Sequence, residues 1–295
     1  MEKKTVNKLL KMQQKYAPVY FLAPAMILFS IFVIWPIFQS IWISFHKWDG
    51  FSPMTWVGLK NYRKLFDDPR FYTSLKNNIY WLVFMMLAPL VGLSLALFLN
   101  QQIKGMRVIK SLFFFPFVIN LVVVGLVFSW FYNPDLGLLS VLLGVFGIEP
   151  IPILADEKMA TFGIIIAGLW PQTAYCMILY LTGLAGVNTQ IVEAGRIDGA
   201  AGWQMLRHVI LPQLRPATIV ALTVTVIGAL RSFDLIATMT AGGPWGSSYV
   251  LAYHMYDEAI FNFKMGYGAA LAVVLFLIMS VFIYFFLKRM IDTEK

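Results

Sequence analysis

Residues 193–212 read EAGRIDGAAGWQMLRHVILP, and the placement of this stretch decides the architecture. It is the one long segment in the second half of the chain where charges, small residues and a helical pattern coincide, with charge-poor runs on both sides. Ala194, Ile197, Ala201 and Leu206 fall at roughly helical spacing, which predicts a short helix with one apolar stripe. Gly195, Gly199 and Gly202 are unfavourable there, each by about 1 kcal/mol against alanine. With Ala200 and Ala201 they form a run of minimal side chains that another surface can approach closely. Pro212 and Pro216 mark the stop of one helix and the start of the next. The pattern predicts a segment that leaves the membrane and presses on a soluble partner. It equally fits an ordinary amphipathic loop between two spans.

Composition places the rest of the chain in a bilayer. Of 295 residues, 59% are hydrophobic and 13% charged, and the mean hydropathy is +0.73, against about a quarter charged in soluble proteins. Six charge-poor runs, at about 20–45, 79–99, 112–132, 162–184, 217–239 and 267–287, approach the ~20 residues that cross a bilayer as helix. The expected organisation is a tail at 1–17, a membrane domain at 18–290 with its polar loop at 186–216, and a short tail at 291–295. The first run is too long for a signal-peptide core and reads as a retained anchor. Within the run Phe113-Phe114-Phe115-Pro116-Phe117, the proline predicts a kink.

Loop charges choose the orientation. With the N-terminus inside, the inner segments hold Lys3, Lys4, Lys8, Lys11, Lys15, Lys104, Arg107, Lys110, Arg196, Arg207, Arg215, Lys288, Arg289 and Lys295. The first outer loop is an exception, with Lys47, Lys60, Arg63, Lys64, Arg70 and Lys76, but the other outer loops hold only Lys158 and Lys264. This predicts cytoplasmic termini, a cytoplasmic 193–212 stretch and basic residues facing lipid headgroups. The net charge of +8 comes without a basic helix or aromatic platform in a soluble domain, so a nucleic-acid partner is not expected.

Catalytic chemistry is not visible in the sequence. The three histidines, His46, His208 and His254, show no metal-ligand spacing and no neighbouring carboxylate cluster. The single cysteine, Cys176, lies in a hydrophobic run as a small filler. No glycine-rich phosphate loop ends in Lys-Ser or Lys-Thr, so ATP is not expected to bind this chain. The pairs Asp67-Asp68, Asp156-Glu157 and Asp257-Glu258 read as solvated loop charges. Arg231 and Asp234 are the informative charges. The uncharged part of the fifth span is too short to cross, so the span must continue through them. At i and i+3 they can pair on one helix face. They are read either as a structural ion pair or as the lining of a substrate path, where Arg and Asp would donate to and accept from sugar hydroxyls. Gln172, Tyr175 and Ser232 add polar groups in the fourth and fifth spans, which the inner loop joins, so these can converge near mid-membrane.

The 193–212 stretch also resembles the cytoplasmic loop of ABC importer permeases. Glu193-Ala194-Gly195 stands for the family's Glu-Ala-Ala opening, Asp198-Gly199-Ala200 for its centre, and Val209, Leu211 and Pro212 for its ending. Gly195 replaces the second alanine and Val209 an isoleucine. The stretches at 56–62, 115–116, 130–134 and 240–244 resemble the carbohydrate-uptake branch, and the end at Lys288-Arg289-Met290 resembles the first permease of a two-permease pair. The resemblance implies an all-α integral membrane fold of the type I importer permease, with six transmembrane helices and a coupling helix, at about 193–205, between helices 4 and 5. It implies three kinds of partner: a second homologous permease, two ATPase subunits that use ATP and Mg, and an extracytoplasmic substrate-binding protein. No cofactor is then expected on this chain, and Gly168, Gln172, Tyr175, Gly228, Ala229 and Ser232 fall on pocket positions. A di- or oligosaccharide is the expected cargo, with a sugar phosphate or polyol such as glycerol 3-phosphate as the alternative. From other classes, a stand-alone secondary transporter would need an ion-coupling acid deep in a span, and only Asp234 is available. A membrane enzyme would need clustered acids or histidines.

Overall fold

A computed structural model describes residues 16–17, 19–101 and 103–292 of the chain. The basic tail of the first fifteen residues and the last three residues lie outside them, so the charges expected there are not placed. Among the described residues the fold is helical, with one two-stranded hairpin. Helix α1 (Val19–Ser44) leads into strands β1 (His46–Lys47) and β2 (Thr55–Trp56), then α2 (Lys60–Asp67). Helices α3 (Pro69–Met85) and α4 (Leu87–Leu99) run on as one membrane-length rod, which starts well before the expected residue 79. Asp68 caps the rod by accepting from the Arg70 amide, and Pro69 sits at its first position, where no amide is needed.

The third span is not one helix. It is α5 (Met106–Val118) and α6 (Leu121–Phe131), bent by 97°. The proline that predicted a kink, Pro116, lies inside α5; the break comes later, where Ile119 turns extended and the Asn120 side chain accepts from the Val122 amide to start α6. After α7 (Leu138–Val145), helix α8 (Ala160–Ala185) crosses unbroken despite Pro171 and forms the spine. Gly92 of α4 meets it so closely that a Cβ would stand 2.7 Å from the Cys176 Cβ. Cys176 is fully buried there, as a small filler should be.

The polar loop is two helices rather than one: α9 (Thr189–Ile197) and α10 (Gly202–Gln213), the latter with a π turn over Leu206–Ile210. The fifth span is α11 (Arg215–Leu230), at 16 residues about 24 Å long and short of the ~30 Å hydrocarbon core. It breaks at 231–233 and resumes as α12 (Asp234–Met239). Helix α13 (Leu251–Tyr256), a π turn over Asp257–Phe261 and the long α14 (Met265–Asp292) complete the chain. Among the described residues, four helices are long and apolar enough to cross a membrane, or up to six spans when each bent pair is taken as one.

Two packed cores bracket the middle of the bundle. One joins Trp81, Ile164, Ile165, Leu235, Ile236 and Tyr253 towards the hairpin end. The other joins Leu99, Met177, Tyr180, Leu184 and Leu214 towards the polar loop. Helix α1 lies outside both: its most apolar window contains no buried residue, and its tertiary contacts are mainly with α14.

Candidate functional site

Between the two cores, at the level of both breaks, lies a cavity of about 460 Å³. Its walls come from α3, α8 and α11 and from the broken backbone at 119–121 and 231–235. All eight residues proposed for the substrate path line it: Gly168, Gln172, Tyr175, Gly228, Ala229, Arg231, Ser232 and Asp234. They lie far apart in sequence, and the side-by-side packing of α8 and α11 brings them together.

The lining residues do different things. Gln172 donates from Nε2 to Thr225 Oγ1 at 2.8 Å, and Thr225 donates to the Ala221 carbonyl at 2.7 Å, so the amide is held across the α8–α11 seam. The Tyr175 ring stacks on Phe117 with centroids 5.0 Å apart, giving a flat aromatic wall beside the α5–α6 break. Ser232 turns back to donate to the Ala229 carbonyl at 3.0 Å. The glycines differ as well. A Cβ on Gly168 would press on Met85, Leu235 and Trp81, whereas one on Gly228 would meet nothing within 4 Å. Gly168 is therefore a packing residue and Gly228 keeps space open.

The expected pairing of Arg231 with Asp234 is not made. Both are exposed, and among the described residues neither lies within 4.0 Å of an opposite charge. The helix stops at Leu230 and restarts at Asp234, so i and i+3 are not neighbours on a helix face. Two adjacent asparagines of α3 tie this break and the 247–251 segment to the bundle. Asn78 donates to the Leu230 carbonyl at 3.3 Å and accepts from the Leu251 amide at 2.8 Å. Asn77 donates to the carbonyls of Ser247 and Tyr249. Adjacent amides inside an apolar helix were the available signal, since buried amides need partners.

In the polar loop, Glu193, Ala194, Asp198, Gly199 and Pro212 are exposed, while Gly195, Ala200 and Leu211 are partly covered. The continuous stripe through Ala194, Ile197, Ala201 and Leu206 is not formed, because α9 ends at Ile197. Two of the small residues have a place within the loop. Gly199, at φ +85°, ends α9 as a left-handed cap, with the Ala200 amide donating to the Gly195 carbonyl at 2.9 Å. Gly195 lets α10 approach, its missing Cβ lying 3.0 Å from Val209 Cγ2. The Asn188 amide donates to Gln213 Oε1 and closes the pair. What projects outward is apolar and large: Ile197 is 87% and Trp203 66% exposed, one on each side of the turn.

Two further expectations are corrected at the hairpin end. Asp257 and Glu258 are not solvated: Glu258 is 1% exposed, tucked in by the π turn and neutralised by Lys264 at 2.9 Å and Arg70 at 3.5 Å. Asp68 is likewise drawn in, and only Asp67 of that pair is exposed. His254 does have a carboxylate beside it, with Nε2 at 3.6 Å from Asp68 Oδ2. Folding joins positions 68 and 254, which no local spacing reveals. No group of three or more potential metal ligands occurs among the described residues.

Residues 88–294 match the family described as the binding-protein-dependent transport system inner membrane component. The chain belongs to this family. It is 37% identical over 269 residues to a probable ABC transporter permease protein of Pyrococcus horikoshii, covering 89% of this chain and 91% of that one. It is 32% identical to the trehalose/maltose transport system permease protein of Thermococcus litoralis, covering 90% of each. A solved bacterial ABC transporter involved in import of the acidic polysaccharide alginate shares its fold, with a TM-score of 0.83, 21% identity and coverage of 98% of this chain and 100% of that one. The chain is thus a multi-pass ABC importer permease, a membrane component of a transporter, and the stand-alone secondary carrier is set aside.

Proposed function

We propose that this permease passes a di- or oligosaccharide through the mid-bundle cavity. The observation that carries the reading is the convergence of all eight path residues on one space of about 460 Å³, within the ~300–1,000 Å³ of small-molecule sites. An aromatic wall at Phe117 and Tyr175 suits the apolar face of a sugar ring, and Gln172, Arg231, Ser232 and Asp234 suit its hydroxyls. The trehalose/maltose relative supports a neutral sugar. An sn-glycerol-3-phosphate permease of Pectobacterium atrosepticum, 29% identical, keeps a sugar phosphate or polyol as the second reading.

In this reading the 186–216 loop and both termini face the cytosol. Exposed Ile197 and Trp203, with Glu193 and Asp198 beside them, seat in a partner ATPase that uses ATP and Mg. A second homologous permease completes the path, and an extracytoplasmic binding protein delivers the sugar.

Reconstitution tests this. Liposomes holding both permeases, the ATPases and the binding protein should take up labelled trehalose or maltose only with ATP inside. Tyr175→Ala should change the competition profile among sugars. Uptake by this chain alone without ATP, or unaltered competition, would reject the assignment.

A further inference from the structure

A cluster of charged residues that the cavity does not use lies at the hairpin end. Asp68 stands at the start of α3, with Oδ2 accepting from the Tyr267 hydroxyl of α14 at 2.9 Å. Arg70 lies 3.8 Å from Asp68, 4.0 Å from Asp257 and 3.5 Å from Glu258. Asp257 accepts from the Tyr249 hydroxyl at 2.8 Å, and the Lys64 ammonium rides 4.1 Å over the Tyr267 ring. At the centre is His254, with no exposed surface. Neither of its ring nitrogens has a hydrogen-bond partner. Its ring lies edge-on to Tyr249 at 5.6 Å and Tyr267 at 6.2 Å.

This cluster is mechanically connected to the cavity. His254 lies on α13 between Tyr253 and Tyr256, and both tyrosines pack on Phe233, with centroids 5.9 and 5.1 Å away. Phe233 lines the cavity at the α11–α12 break.

We propose that Arg70, His254 and Glu258 are positioning residues for the cavity wall, and that proton uptake by His254 releases that wall. With His254 neutral, the cluster holds three carboxylates, Asp68, Asp257 and Glu258, against Arg70 and Lys264. Lys64, over the Tyr267 ring, is a third cation, so a proton on the imidazole adds excess positive charge and a second buried N–H without a hydrogen-bond partner. Asp68 Oδ2 stands 3.6 Å from Nε2, at ion-pair distance but without a hydrogen bond, and already holds the Tyr267 hydroxyl. Burial holds the imidazole pKa below its ordinary value, against the pull of Asp68 and Glu258. For a histidine whose folded pKa is depressed, the folded contribution is intact while the ring is neutral. It is lost as pH falls from about 6.5 through the lower folded value. Acid therefore favours conformers in which α13 draws away from α3 and the ring meets water.

The inference rests on the cavity being the transport path, but its test needs neither sugar nor ATP. In lipid nanodiscs, a Cys176→Ser, Ser232→Cys chain is labelled with a membrane-impermeant thiol reagent. Rates are compared with those of the same chain carrying His254→Gln at each pH. Between about pH 7.5 and pH 5.5 the ratio of the two rates should rise roughly threefold or more. Coincident pH profiles would overturn the proposal. Asp68→Asn keeps the histidine and removes its facing carboxylate, so the acid response should move to lower pH. Glu258→Gln should speed labelling at every pH, and a rate equal to the parent's would reject the positioning role. Loss of sugar uptake with this pH response intact would instead count against the carbohydrate reading alone.

Discussion

Two glycines separate packing from space. Gly92 lies where α4 touches α8, with the Cys176 Cβ and the Met177 amide nitrogen less than 3 Å from any added methyl. Gly92→Ala should destabilise the fold by about 1–3 kcal/mol through overpacking. Gly228 faces open space at ordinary helical geometry, so Gly228→Ala should stabilise by about 0.4–1 kcal/mol through lost unfolded-state freedom. Thermal unfolding midpoints of the two variants in one detergent check the opposite signs. Sequence alone treats these glycines alike, since each sits in an apolar run. The distinction depends on what stands opposite, and Cys176 is more than eighty residues away from Gly92 in the chain.

The polar loop shows how an element can be foreseen for a partly wrong reason. Its position between the spans was legible, because charges are scarce elsewhere in that half of the chain. Its internal form was not. Gly199 reads as a small residue at a contact, and its left-handed cap conformation was not foreseen. A β-branched side chain there carries strain of about 1–3 kcal/mol, whereas asparagine tolerates the conformation. In the assembled importer, Gly199→Val should cut binding-protein-stimulated ATP hydrolysis roughly five- to tenfold by that strain, and Gly199→Asn should retain most of it. Equal activities would show that the turn does not set the coupling geometry. The break in the third span was illegible for a related reason. Pro116 drew attention, yet the helix restarts at Asn120, whose cap needs only a short polar side chain in the right place. The convergence of the cavity-lining residues was more legible. Helical spacing puts Gln172 and Tyr175 near one another on a single span, and a short polar loop makes the next span its neighbour. The burial of Glu258 stayed hidden because one of its two cations, Arg70, comes from the other half of the chain.

Across the whole molecule, a continuous spine carries two discontinuous spans. Helix α8 runs unbroken through both cores, while the chain breaks at 119–120 and 231–233, both on the cavity. The Arg231 amide still closes the α11 ladder on the Ile227 carbonyl, but beyond it, as at 119–121, the helical ladder is interrupted and opens locally at lower free energy. Hydrogen exchange in nanodiscs should therefore run at least about tenfold faster at 119–121 and 232–234 than at 164–180. Uniform protection would mean that the breaks are as rigid as the spine.

The uncovered first helix has a practical corollary. An arm left bare by its own chain must be sheathed by something else, whether acyl tails or a neighbouring subunit. A purified single copy thus carries an oily perimeter to which this rod adds exposed side chains from Val19 to Trp42, and the amount of amphiphile needed to keep it dispersed gauges how much of that rod a companion hides.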